Sequence, residues 1–138
     1  MDSLKFAKKI ANIVLSKKGT DIKILDLRKL SGISDYFLIC SADSDRQVKA
    51  IADEVDKELS GEGIKCLHRE GFESLNWVIL DYFDVIVHVF KNETRQFYGL
   101  EKLWGDAPVI IVEDELSNME SEVERVPKRA VRKSVKKS

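Results

Sequence analysis

The chain has 138 residues, 43% of them apolar and 8% aromatic, enough for one hydrophobic core and a single domain with a tail. Its net charge of −1 hides an asymmetry: residues 116–138 carry seven Lys/Arg against three Glu, a local +4, and leave −5 on residues 1–115. No run reaches the roughly 18 apolar residues needed to cross a bilayer, and Lys8 and Lys9 break up the apolar positions that a cleavable secretion signal would need. Cys40 and Cys66 both fall inside apolar runs, which predicts reduced, buried thiols and a cytoplasmic protein.

In chain order, residues 3–18 predict an amphipathic helix, with Leu4, Ala7, Ala11 and Val14 recurring every three and four positions. Asp2 or Ser3 can cap it and Gly19 stops it. Ile22–Leu27 alternates as a strand does, Ser31 and Gly32 mark a turn, and the apolar run Tyr36–Cys40 predicts a strand covered on both faces. Ser44 and Gln47 form a capping box for a second helix whose buried side is Val48, Ile51, Ala52, Val55 and Leu59. A short strand is expected over Ile64–His68 and two more over Leu75–Leu80 and Val85–Phe90, joined by a hairpin-length link, Asp81–Asp84. A short helix over Asn92–Tyr98 and an apolar strand or extended segment over Val109–Val112 follow.

Beyond Glu115 the apolar period stops. We therefore place an α/β domain at residues 1–115 and a basic, disordered tail at 116–138. The element order implies a mixed sheet of about five strands with flanking helices. A crossover through the second helix gives one parallel pair and hairpins give antiparallel ones.

Catalytic patterns are incomplete. The turn before the second helix, Ser41-Ala42-Asp43-Ser44, has no glycine to cradle a phosphate. Cys66 and His68 share a strand face and Cys40 could approach them, but a buried thiol beside a hydrogen-bonded histidine accounts for the set without a metal. His88 shares a face with Ile86 and Phe90, and no carboxylate or nucleophile is assigned to it, so it reads as a structural histidine. Asp43 and Asp45 have the spacing of a metal-dependent nucleotidyltransferase pair, yet Gly32 is followed by Ile33 instead of the serine that pattern needs. Carboxylates at a helix start are also favoured by the helix dipole. The basic tail could hold RNA phosphates, though no aromatic residue lies among its cations to stack on bases.

Residues 70–106 are richer. They contain both tryptophans, two of the three tyrosines and Arg95, the residue types that dominate binding hot spots. Trp77 alternates with Leu75, Ile79 and Asp81, an apolar strand face ending in an acid, and Arg95 and Tyr98 lie at helical spacing beside it. Trp77, Asp81, Arg95 and Tyr98 are therefore the expected partner-binding residues, whereas Phe97 and Trp104 fit a core or a contact equally well. No catalytic or metal-binding residue and no cofactor is assigned.

Three blocks carry a resemblance. Ser34-Asp35-Tyr36-Phe37, with Ile39-Cys40-Ser41 and Arg46-Gln47-Val48, resembles the first block of the Iojap-like family of bacterial ribosomal silencing factors. Glu70-Gly71, Trp77–Asp81 and Asp84–Phe90 resemble the second. Arg95, Phe97-Tyr98, Leu100-Glu101 and Leu103–Ala107 resemble the third, so the likeness spans residues 4 to about 112. Two positions depart from the family pattern, Phe83 and Ala42, where glycine is usual. The resemblance implies a nucleotidyltransferase-like core without catalytic residues. It further implies binding to ribosomal protein fourteen of the large ribosomal subunit, a steric block to small-subunit joining, repression of translation, and a homodimer when free. Ribosomal RNA contact by the tail is a further expectation. The competing readings are a metal-dependent nucleotidyltransferase using Asp43 and Asp45, and a general RNA binder led by the tail.

Overall fold

The first helix, α1 (Ser3–Ser16), begins where the Asp2 carboxylate accepts the Leu4 N–H, and it buries Phe6, Ala7, Ile10, Ala11 and Val14. The computed structural model describes residues 2–30, 32 and 34–112. Strands β1 (Thr20–Asp26) and β2 (Tyr36–Ala42) follow, then helix α2 (Asp45–Gly61). After them come β3 (His68–Glu70), β4 (Trp77–Asp81), β5 (Val85–Lys91), the short helices α3 (Asn92–Tyr98) and α4 (Leu100–Leu103), and β6 (Val109–Val112).

The Ser44 half of the expected capping box at α2 forms, its hydroxyl accepting the Gln47 N–H at 3.2 Å. The Gln47 side chain reaches one residue beyond the cap. Its Oε1 accepts from the Asp43 N–H, and its Nε2 donates to the Lys17 and Lys18 carbonyls, so one side chain joins the end of α1 to the start of α2.

The strands form one six-stranded mixed sheet in the order β3-β4-β5-β2-β1-β6. Its parallel pair is β2 with β5, reached through α2; every other neighbouring pair is antiparallel. Because side chains alternate along a strand, the sheet has two distinct faces. On one, Ile22, Ile24, Leu38, Cys40, Val78, Leu80, Val87 and Val89 pack under α1 and α2 in a closed core. On the other, Leu25, Phe37, Ile39, Ile86 and Phe90 form a smaller core with Leu27 and Ala107, and Trp77, Ile79, Leu100 and Trp104 only partly buried against it. The short segment α3–α4 covers this second face incompletely.

Two strands sit later than their apolar residues suggested. The ladder of β3 begins at His68, because Ile64 and Cys66 pack against the core without strand pairing. Leu75 lies before β4 in a turn, with φ 60° and its N–H on the Gly71 carbonyl. Gly71 itself has φ 93°, and a Cβ there would stand 2.0 Å from the Trp77 carbonyl oxygen, so only glycine fits at the entry to β4. The sheet also has one strand more than expected.

The two departures from the family pattern have separate outcomes. Phe83 adopts φ 74° in the β4–β5 turn, its ring 68% exposed and its N–H on the Asp81 carboxylate at 2.8 Å. The turn keeps a left-handed residue without a glycine. Ser34 ties this turn to β2, its buried hydroxyl 2.9 Å from the Asp84 carbonyl and 3.1 Å from that of Phe83. Ala42 is the buried last residue of β2, paired with Lys91, and needs no special backbone.

The tail at 116–138 and the boundary after residue 115 lie outside the described residues, as does Ser31 of the Ser31-Gly32 turn. Among the described residues, no helix is long and apolar enough to cross a membrane.

Candidate functional site

β4 carries Trp77, Ile79 and Asp81 outward on the second sheet face, while Val78 and Leu80 point into the main core. Trp77 is paired across the ladder with Phe90, and their rings stack at 5.0 Å. Its indole Nε1–H donates to His88 Nδ1 at 3.1 Å, and the Tyr98 ring lies 4.7 Å from it. Tyr98 is 52% exposed, Phe97 82% and Leu103 71%, which makes α3–α4 an apolar rim beside Trp77. Trp77 and Tyr98, both expected at a surface, lie side by side, Trp77 half-buried against the second core and Tyr98 exposed. Phe97 resolves to solvent, whereas Trp104 packs edge-on against Phe37 and belongs mainly to the core.

Asp81 ends the same strand face, and one of its oxygens is already taken by the Phe83 N–H. Leu103, Val109 and Ile111, all exposed, extend the apolar character of this side beyond the predicted residues. Val109 and Ile111 pair with Leu25 and Lys23, which places them on the same sheet face. The sequence signal for them was the apolar run Val109–Val112, indistinguishable from a buried strand.

Arg95 departs from its expected place at the contact. It is 5% exposed, and its guanidinium reaches inward: Nε to Glu101 Oε1 at 2.8 Å, and one terminal nitrogen to the Asp21 carbonyl at 2.6 Å and to the Ser41 hydroxyl at 2.7 Å. Lys23 adds a second cation to Glu101 at 2.9 Å. Burial pushes the Glu101 carboxyl up, but hydrogen bonds from Arg95 and Lys23 outweigh it and hold its pKa down at about 2. Gly99, at φ 60°, turns the chain between α3 and α4 so that Arg95 and Glu101 can face each other. Arg95 therefore clamps the aromatic rim onto β1 and β2.

The titratable side chains of the sheet and of the start of α2 are engaged elsewhere. Burial pushes the His88 imidazole down to about 3, so it is neutral, and it raises the Cys40 thiol to about 12 within the main core. The Cys66 thiol lies on the His68 carbonyl at 3.3 Å and the His68 ring is hydrogen-bonded to Glu70, as expected of a thiol beside a bonded histidine, but Cys66 is only half-buried and His68 is exposed. Asp45 pairs with Lys91 at 2.5 Å, and Asp43 accepts from Asn92 at 2.7 Å. Among the described residues, no three His, Cys, Asp or Glu side chains gather closely enough to hold a metal.

A family model described as "Ribosomal silencing factor during starvation" matches residues 1–138. The chain belongs to this family. The "Ribosomal silencing factor RsfS" of Halalkalibacterium halodurans is 44% identical over 106 residues, covering 77% of this chain and 91% of that one. Its namesake from Bacillus subtilis is 48% identical over 93 residues, covering 67% and 79%. The crystal structure of a Chromobacterium violaceum protein has a TM-score of 0.74 at 37% identity, over 76% of this chain and 88% of that one. The family match takes in the basic tail as well as the three sequence blocks. The Halalkalibacterium and Bacillus relatives are named for silencing ribosomes and not for a reaction.

Proposed function

We propose that the chain silences ribosomes by docking on the large subunit, through its ribosomal protein fourteen, and occupying space that the small subunit needs. The observation that carries this reading is the half-covered second sheet face, where Trp77 sits between a stacked Phe90 and the exposed rim of Phe97, Tyr98 and Leu103. Large aromatic groups clustered beside a polar edge have the composition of an interface centre. In this reading Trp77 and Tyr98 make contact, Asp81 borders them, and Arg95 keeps the rim seated from beneath.

The mechanism is competition without catalysis or cofactor. A standard interface needs about 800 Å² from each partner, an area one sheet face can supply. With free factor about a hundredfold above its dissociation constant, mass action opposes subunit joining by about 2.7 kcal/mol. The protein acts in the cytoplasm, pairs as a homodimer when free, and its basic tail adds contacts to ribosomal RNA.

Sedimentation of purified subunits through sucrose gradients tests this. The expected result is comigration with the large subunit and fewer joined ribosomes when the factor is added first. Normal joining, with the factor never found among large-subunit fractions, would overturn the reading.

A further inference from the structure

The indole N–H of Trp77 is that residue's single polar group, and it points inward to His88 Nδ1. A nitrogen that receives a hydrogen bond carries no proton, so neutral His88 must hold its proton on Nε2. That Nε2–H is buried and has no hydrogen-bond partner among the described residues. An unsatisfied buried donor lowers stability, and an aliphatic side chain of similar size would avoid the loss. The imidazole therefore fills its place poorly as core, and what it offers that leucine cannot is the acceptor at Nδ1.

That acceptor sets how Trp77 meets solvent. Phe90 stacks on one side of the indole, Tyr98 lies 4.7 Å away, and His88 holds the N–H edge down. The part of Trp77 left facing outward is hydrocarbon. We propose that His88 is a positioning residue for the docking surface, locking Trp77 so that it presents carbon alone and selects a partner that is apolar at that point. Polar recognition falls to the border, at Asp81 and the Tyr98 hydroxyl. The inference rests on the docking reading above.

Two variants separate this role from a packing role. His88→Leu removes the acceptor and keeps the bulk; His88→Asn keeps an oxygen near the place of Nδ1. Each is measured for thermal midpoint, for solvent exchange of the Trp77 indole N–H by NMR (assigned with Trp77→Phe), and for affinity to purified large subunits. For His88→Leu we expect a midpoint equal to or above wild type, faster indole exchange, and an affinity lower by roughly fivefold to tenfold, the worth of one hydrogen bond. His88→Asn should restore slow exchange and bring affinity back to within about twofold. A His88→Leu variant that binds as wild type, or whose affinity falls only with its midpoint and is not rescued by asparagine, overturns the role of His88. A wild-type chain that does not bind large subunits overturns the docking reading instead, and the two failures are thereby told apart.

Discussion

Arg95 and Glu101 meet through two parallel contacts, Nε to Oε1 at 2.8 Å and a terminal nitrogen to Oε2 at 3.2 Å, across the corner between α3 and α4. Arg95 is buried and Glu101 about one-third exposed, so solvent screens only part of the pair. Removing the guanidinium would also leave the Ser41 hydroxyl and the Asp21 carbonyl without their donor.

Arg95→Ala is accordingly expected to lower stability by about 2–3 kcal/mol in urea denaturation. Arg95→Lys should recover little, since an ammonium cannot serve a carboxylate bidentately and two further acceptors at once. If Arg95→Ala weakens ribosome binding with no loss of stability, Arg95 is a contact residue and not a clamp.

Acid should destabilise the protein in a window set by His88. Its folded pKa is depressed to about 3 from 6.5, so between those values the unfolded chain binds the proton and the folded chain does not. Stability is therefore fully present above pH 6.5 and declines as pH falls toward 3, by up to about 1.4 kcal/mol per pH unit from this group. Urea melts of wild type and His88→Leu from pH 7 to 4 check this. The variant should show a shallower slope, and parallel slopes would refute the assignment.

At the β4–β5 turn, Phe83→Gly should stabilise the chain by about 0.5–1 kcal/mol. A left-handed φ strains phenylalanine and not glycine, and the exposed ring gives up little packing. A lower denaturation midpoint for the variant would mean that the ring makes contacts worth more than the strain.

Trp77→Ala should cost at least about 2 kcal/mol in large-subunit affinity. The variant should remain folded by circular dichroism. Cosedimentation at wild-type strength would remove Trp77 from the surface.

Much of this was legible locally. Ser44 and Gln47 announced α2, the period of Leu4, Ala7, Ala11 and Val14 announced α1, and alternation put Trp77, Ile79 and Asp81 on one face of β4. Each of those signals depends on residues within a turn or a strand of one another. What failed was whatever depends on distant partners. Arg95 lies at helical spacing beside Tyr98, which suggested a shared surface. Its burial is decided by Asp21 and Ser41, 74 and 54 residues away. The start of β3 was misplaced for the same reason, since apolar Ile64 and Cys66 look like strand until the register with β4 is known. The partner of the indole N–H lay eleven residues along the chain, on the neighbouring strand opposite Ile79 and two positions from the Trp77–Phe90 pairing, and pattern alone could not supply that register.

The Gln47 bridge between α1 and α2 bears on the opposite side of the sheet. Both helices are fastened to each other as well as to the strands, so the aromatic face rests on a stiff backing with little slack to surrender on contact. Entropy that a looser scaffold would forfeit in the encounter has in part been given up during folding.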